Sequence, residues 1–79
     1  MHYVYILESL AEDDRFYVGL TTDLRARLRR QNAGHVAHTS KYAPWRIKTY
    51  IAFSDVGQAR NFERYLKSAS GRAFAKKRL

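Results

Sequence analysis

HYVYILESLAEDDRFYVGL, residues 2–20, decides the fold. Its two ends, His2–Leu7 (HYVYIL) and Arg15–Leu20 (RFYVGL), are aromatic and β-branched over the length of a strand. The polar, acidic Glu8–Asp14 between them reads as the exposed loop of a hairpin. Alternation along a strand puts Tyr3 and Tyr5 on one face and Val4 and Ile6 on the other; Phe16 and Val18 likewise oppose Tyr17 and Gly19. If the strands pair, Tyr5 and Tyr17 share a face, and Gly19 beside Tyr17 leaves open backbone where a side chain would sit.

Working outward, Thr21, Thr22 and Asp23 offer capping oxygens to a helix over Asp23–Asn32 that stops at Gly34. Leu24 and Leu28 form its buried seam, Arg25, Arg29 and Arg30 lie mostly away from it, and Arg27 sits beside it. Gly34–Trp45 reads as a polar loop, closed by Pro44. Arg46–Phe53 (RIKTYIAF) is a third strand, and Ser54-Asp55 can cap a helix over Val56–Lys67. The apolar seam of that helix is Val56, Ala59, Phe62 and Leu66, interrupted by Glu63. A carboxylate on a core-facing stripe is either paired or held at the edge of the core for a purpose. Beyond it, a turn at Ser70-Gly71 and a short basic helical end with Phe74 packed inward complete the order β-β-α-β-α, an α/β (α+β) class of fold.

The 79 residues are expected to form one domain, 1–79. The absence of cysteine excludes disulfide scaffolds, thiol nucleophiles and zinc knuckles. No apolar run approaches the roughly 18 residues of a membrane span, so the expectation is a cytoplasmic protein without membrane contact. Charge is the informative quantity: 15 Lys and Arg against 7 Asp and Glu give +8, with a pI near 10.2. Up to residue 23 Arg15 stands alone against five acids, whereas beyond it Asp55 and Glu63 are the only acids. A basic surface carried by the later elements points to a polyanion, and nucleic acid leads.

Taken in order, the pieces resemble the GIY-YIG endonucleases, and in particular their small single-domain bacterial members. Tyr3-Val4-Tyr5 stands where the GIY triplet would be and Tyr17-Val18-Gly19 where YIG would be, with Thr21–Asp23 following. Arg27 matches the first-helix arginine. The pattern Ala59-x-x-x-Glu63-x-x-Leu66-Lys67, then Ser70-Gly71-Arg72 and Phe74, is similar to those members, as is the loop His38-Thr39-Ser40-Lys41-Tyr42-x-Pro44-Trp45. Each motif is weak alone; their order and spacing carry the likeness from about Tyr3 to Phe74.

The resemblance implies a central three-stranded antiparallel sheet flanked by helices, bearing a metal-dependent phosphodiesterase site. It implies Tyr5, Tyr17, Arg27 and Glu63 as catalytic residues, with Glu63 the ligand of Mg2+ (or Mn2+), a hard cation that one carboxylate plus a substrate phosphate can hold. Tyr5, or alternatively Tyr17, would be the general base, and Arg27 would both hold the phosphate and help bring a phenol of pKa near 10 toward neutrality. Gly19 would let a phosphate approach the backbone, while Arg25, His35, His38, Thr39, Lys41, Tyr42, Lys67 and Arg72 are candidate nucleic-acid contacts. Four residues after the arginine, where many members have histidine, this chain has Gln31, which can position water but cannot take its proton. The structural alternative for Glu63 is a pair with Arg60, Arg64 or Lys67 on its own helix.

The leading expectation is thus a divalent-metal-dependent DNA endonuclease, structure-selective or weakly sequence-selective, serving repair, recombination or processing. Branched, flap or single-stranded DNA is the expected substrate, and the active form a monomer or weak homodimer with room for a protein partner. A nucleic-acid-binding module of little or no catalytic power is the alternative. A third reading, an RNA-binding protein, wants exposed aromatics on the sheet face and leaves Glu63 unexplained.

Overall fold

The computed structural model describes residues 1–34 and 37–79. His35, one of the candidate contacts, lies outside the described residues. The elements are β1 (His2–Ser9), β2 (Phe16–Thr21), α1 (Leu24–Asn32), α2 (Ala37–Ser40), β3 (Trp45–Phe53), α3 (Val56–Leu66) and α4 (Ala69–Arg78). The three strands form one antiparallel sheet in the order β2-β1-β3. Placing β1 in the middle follows from its composition: Val4, Tyr5, Ile6 and Leu7 are all buried, so both faces of this strand are covered.

The sheet separates two apolar clusters. On one face Val4 and Ile6 pack with Ala59 and Leu66 of α3, joined by Val18, Leu20, Phe53, Phe62, Ala75 of α4 and Leu79 just past its end. On the other, Tyr5, Leu7 and Trp45 pack with Tyr17, Ile47, Tyr42 and the Leu24 and Leu28 seam of α1. The alternation read from Val4-Tyr5-Ile6 is therefore the division between the two clusters. Register fixes the rows across the sheet: Tyr5 stands opposite Gly19 on β2 and Tyr50 on β3, and a bulge falls between Ile6 and Leu7.

The helix starts follow the capping chemistry of the sequence. Asp23 accepts the Ala26 N–H at 3.1 Å, and Asp55 accepts the Gln58 N–H at 2.8 Å. Thr21 Oγ1 in turn accepts the Asp23 N–H, fixing the entry to α1.

Four expectations need correction. The segment Gly34–Trp45 is not loop throughout: Ala37–Ser40 forms the short helix α2 and Trp45 already belongs to β3. The tail has no turn at Ser70-Gly71. Instead α4 starts at Ala69 with Ser68 as its cap, whose Oγ accepts the Gly71 N–H, and a Cβ at Gly71 would stand 1.8 Å from the Tyr65 carbonyl oxygen. This glycine serves the close packing of α4 on the end of α3. As a result Phe74 is not an inward residue; it is 37% exposed and lies against Tyr65, with centroids 5.9 Å apart, while Ala75 and Leu79 face the core. Val56, expected in the α3 seam, is exposed in the first turn.

Candidate active site

Tyr5 begins on the central strand and points toward β2. Its side chain is 1% exposed, and its ring occupies the space that a side chain at position 19 would need: a Cβ there would lie 2.2 Å from the Tyr5 hydroxyl oxygen. Gly19 is thus not open backbone for a phosphate. It is itself buried, and its missing side chain is what admits the phenol. Tyr17, also on β2, stacks beside Tyr5 with centroids 6.4 Å apart and planes at 30°, and its other neighbour is Trp45.

The Tyr5 hydroxyl is the meeting point of both sides of the sheet. Arg27 from α1, Tyr17 from β2 and Glu63 from α3 all act on it electrostatically. α1 and α3 cover opposite faces of the sheet, and the Tyr5 ring points across Gly19 toward β2. The sum of these influences raises the Tyr5 pKa above the ordinary phenol value. Burial is the largest cause, Arg27 opposes it, and Tyr17 and Glu63 add to it. Arg27 thus acts in the expected direction, lowering the pKa, but burial outweighs it. It stands close enough to favour the anion, yet the hydroxyl oxygen is buried with no well-formed hydrogen bond among the described residues. A buried polar atom without a partner is costly in a structural residue and normal in a site that awaits a ligand.

Glu63 is half-buried and receives the Lys67 ammonium at 3.0 Å, the i,i+4 pair of the structural alternative, so Lys67 is engaged with it. Its stripe position keeps the carboxylate beside the tyrosine while one side stays open to solvent. No group of three or more His, Cys, Asp or Glu occurs among the described residues. That donor set does not suit a metal caged by protein; it suits a hard cation that retains water and shares one carboxylate with a substrate phosphate. Glu63 would be its holder.

The remaining candidates divide by exposure. Arg25, His38, Lys41, Lys67 and Arg72 are exposed. Lys41 lies over the Tyr42 ring at 5.1 Å, and Arg15 lies over the same ring at 4.3 Å, so half-buried Tyr42 is a platform for cations. Thr39 is not a surface contact: it is 5% exposed, and its carbonyl accepts the Trp45 indole N–H. The sequence reading missed Asn32, and it placed Gln31 after the arginine without foreseeing its burial. Gln31 is 2% exposed with its amide nitrogen unpartnered among the described residues, and Asn32 grips Trp45 by both its N–H and its carbonyl. Gln31 lies three residues beyond Leu28, so continuing the seam by one more step would have found it.

A family model of the GIY-YIG catalytic domain matches residues 1–78. The chain belongs to the GIY-YIG family. Its relatives include a UPF0213 protein of Haloquadratum walsbyi, 37% identical over 68 residues that cover 85% of this chain and 74% of that protein. A UPF0213 protein of Halalkalibacterium halodurans is 36% identical over 72 residues, covering 90% and 74%, and one of Lacticaseibacillus paracasei is 37% identical over 67 residues, covering 84% and 73%. The three-stranded antiparallel sheet with flanking helices is consistent with the GIY-YIG fold, and membership places the chain in a nuclease family. No described helix is long and apolar enough to cross a membrane.

Proposed function

We propose that this GIY-YIG chain is a divalent-metal-dependent DNA endonuclease that hydrolyses phosphodiester bonds. The observation that carries the reading is the convergence of Tyr17, Arg27 and Glu63 on a buried Tyr5 hydroxyl that has no well-formed hydrogen bond among the described residues. Hydrolysis adds a water oxygen to phosphorus and breaks one P–O bond; the proton of the water is taken up and the departing oxygen is protonated. A cation held by Glu63 would supply neutralising charge to the phosphate and lower the pKa of water. Arg27, permanently cationic, holds a phosphate oxygen and compensates the charge that develops on it. Tyr5 takes the proton from the attacking water. Its raised pKa means that it carries its own proton at neutral pH, so it becomes a base only when added positive charge offsets its burial. Tyr17 borders the Tyr5 ring and is the alternative proton acceptor.

The basic surface, with no evident base-reading element among the described residues, implies affinity dominated by phosphates, hence structure-selective or weakly sequence-selective action in DNA repair, recombination or processing. Single-stranded, duplex, flap and four-way-junction DNA incubated with Mg2+, Mn2+ or chelator tests the reading. Metal-dependent products are expected, and their absence on every substrate at every metal concentration contradicts it. Buried Gln31, an amide that cannot take a proton, favours a second reading, a nucleic-acid-binding module with little or no cleavage, which predicts metal-independent binding and no products.

A further inference from the structure

An open hollow of about 380 Å3 lies on the Tyr5 face of the sheet, between its β3 side and the start of α1. Tyr3 and Tyr50 border it, their rings edge to face with centroids 5.8 Å apart, and Thr22, Asp23, Leu24, Arg25 and Ile47 complete the lining. Tyr50 is 52% exposed. Nothing in the core requires a tyrosine there, since the apolar work on this face is done by Leu7, Trp45, Leu24 and Leu28. Tyr50 pairs with Tyr5 across β1 and β3, so the hollow opens on the same face of the sheet as the Tyr5 ring, which itself points the other way, toward β2.

We infer that this hollow seats one unpaired base of single-stranded DNA while the backbone of the strand passes the Tyr5 hydroxyl. The inference rests on the nuclease reading and names its substrate class. An exposed ring already held edge-on by a second tyrosine is a rigid stacking platform, and aromatic stacking captures any base regardless of sequence. The charge is complementary: Arg25 lines the hollow, and Arg29 and Arg30 are exposed further along α1. The one acid at its rim, Asp23, is engaged in capping α1 through the Ala26 N–H. In a duplex the bases are stacked and paired, so their faces are closed to Tyr50, and the hollow distinguishes single-stranded from duplex DNA.

The test is fluorescence anisotropy in chelator, so that cleavage plays no part in it. A labelled single-stranded 12-mer and the blunt duplex of the same length are titrated with wild type, Tyr50→Ala and Tyr50→Phe. Tyr50→Ala is expected to weaken single-strand binding roughly tenfold and duplex binding less than twofold, with Tyr50→Phe close to wild type. A 12-mer of abasic phosphodiester units is expected to bind the wild type roughly tenfold more weakly than the base-bearing strand, and this arm needs no variant to fold. Equal losses on both DNAs, no loss on either, or equal affinity for abasic and base-bearing strands overturns the inference. So does a Tyr50→Ala variant that loses self-association rather than single-strand affinity, which would make the β3 edge a contact between copies. Base-dependent binding without cleavage on any substrate would sink the nuclease reading and leave the stacking site standing as the site of a binding module.

Discussion

Tyr5 and Gly19 are one design at the scale of the residue: the phenol fits because the glycine has no side chain. Gly19→Ala must displace the ring, since the new Cβ would fall 2.2 Å from the hydroxyl oxygen and 2.4 Å from the carbon that bears it. We expect a loss of about 1–3 kcal/mol in urea denaturation, the usual cost of overpacking, and a larger relative loss of cleavage because the displaced group is the candidate base. Stability unchanged within error would contradict this packing account. The raised Tyr5 pKa adds a pH signature. The folded state keeps the phenol proton to higher pH than the unfolded state does, so the contribution of Tyr5 to stability is full below its unfolded value near 10 and is lost as pH rises through the folded value. Tyr5→Phe should therefore flatten the fall in melting temperature above about pH 10, relative to wild type. Equal slopes for the two proteins would argue that burial is not the governing influence on this group.

Elements were legible in the sequence where local chemistry determines them. The hairpin, the α1 and α3 caps and the alternation of β1 are properties of neighbouring residues, and Asp23 and Asp55 cap where their sequence positions indicate. Where tertiary packing decides, the reading failed. Gly71 reads as a turn because glycine usually marks one, but here α4 continues through it and the glycine serves contact with the end of α3. Tyr50 sits on an alternating strand like any other, and only the sheet order and the position of α1 reveal that its ring is left uncovered. The meeting of Arg27 and Glu63 around one hydroxyl was legible only through family likeness, because no spacing in the sequence relates residues on helices that lie across a sheet. Asn32 joins the end of α1 to the start of β3 by two hydrogen bonds to Trp45, at 2.6 and 3.0 Å. Asn32→Ala should lower stability by about 1–3 kcal/mol, measured by thermal or urea melting, because it strips partners from a part-buried backbone N–H and carbonyl.

At the scale of the whole molecule, charge organises behaviour. Fourteen of the 15 Lys and Arg lie beyond residue 23, so binding to DNA should be strongly salt-dependent. The slope of log affinity against log salt should fall by about 0.7–0.9 for each phosphate contact removed, as in Arg25→Ala or Arg72→Ala. A slope unaffected by either substitution would place the phosphate path elsewhere on the surface. All these properties converge on Glu63, a carboxylate on the core-facing stripe of α3 with Lys67 as its only ion-pair partner among the described residues. The most direct test is cleavage of single-stranded and branched DNA with Mg2+ by wild type and Glu63→Gln, with binding followed in parallel. The account predicts metal-dependent products from the wild type, at least a hundredfold loss in Glu63→Gln at roughly 2.7 kcal/mol of barrier, and unchanged DNA affinity in chelator. Products formed equally by both proteins would contradict it.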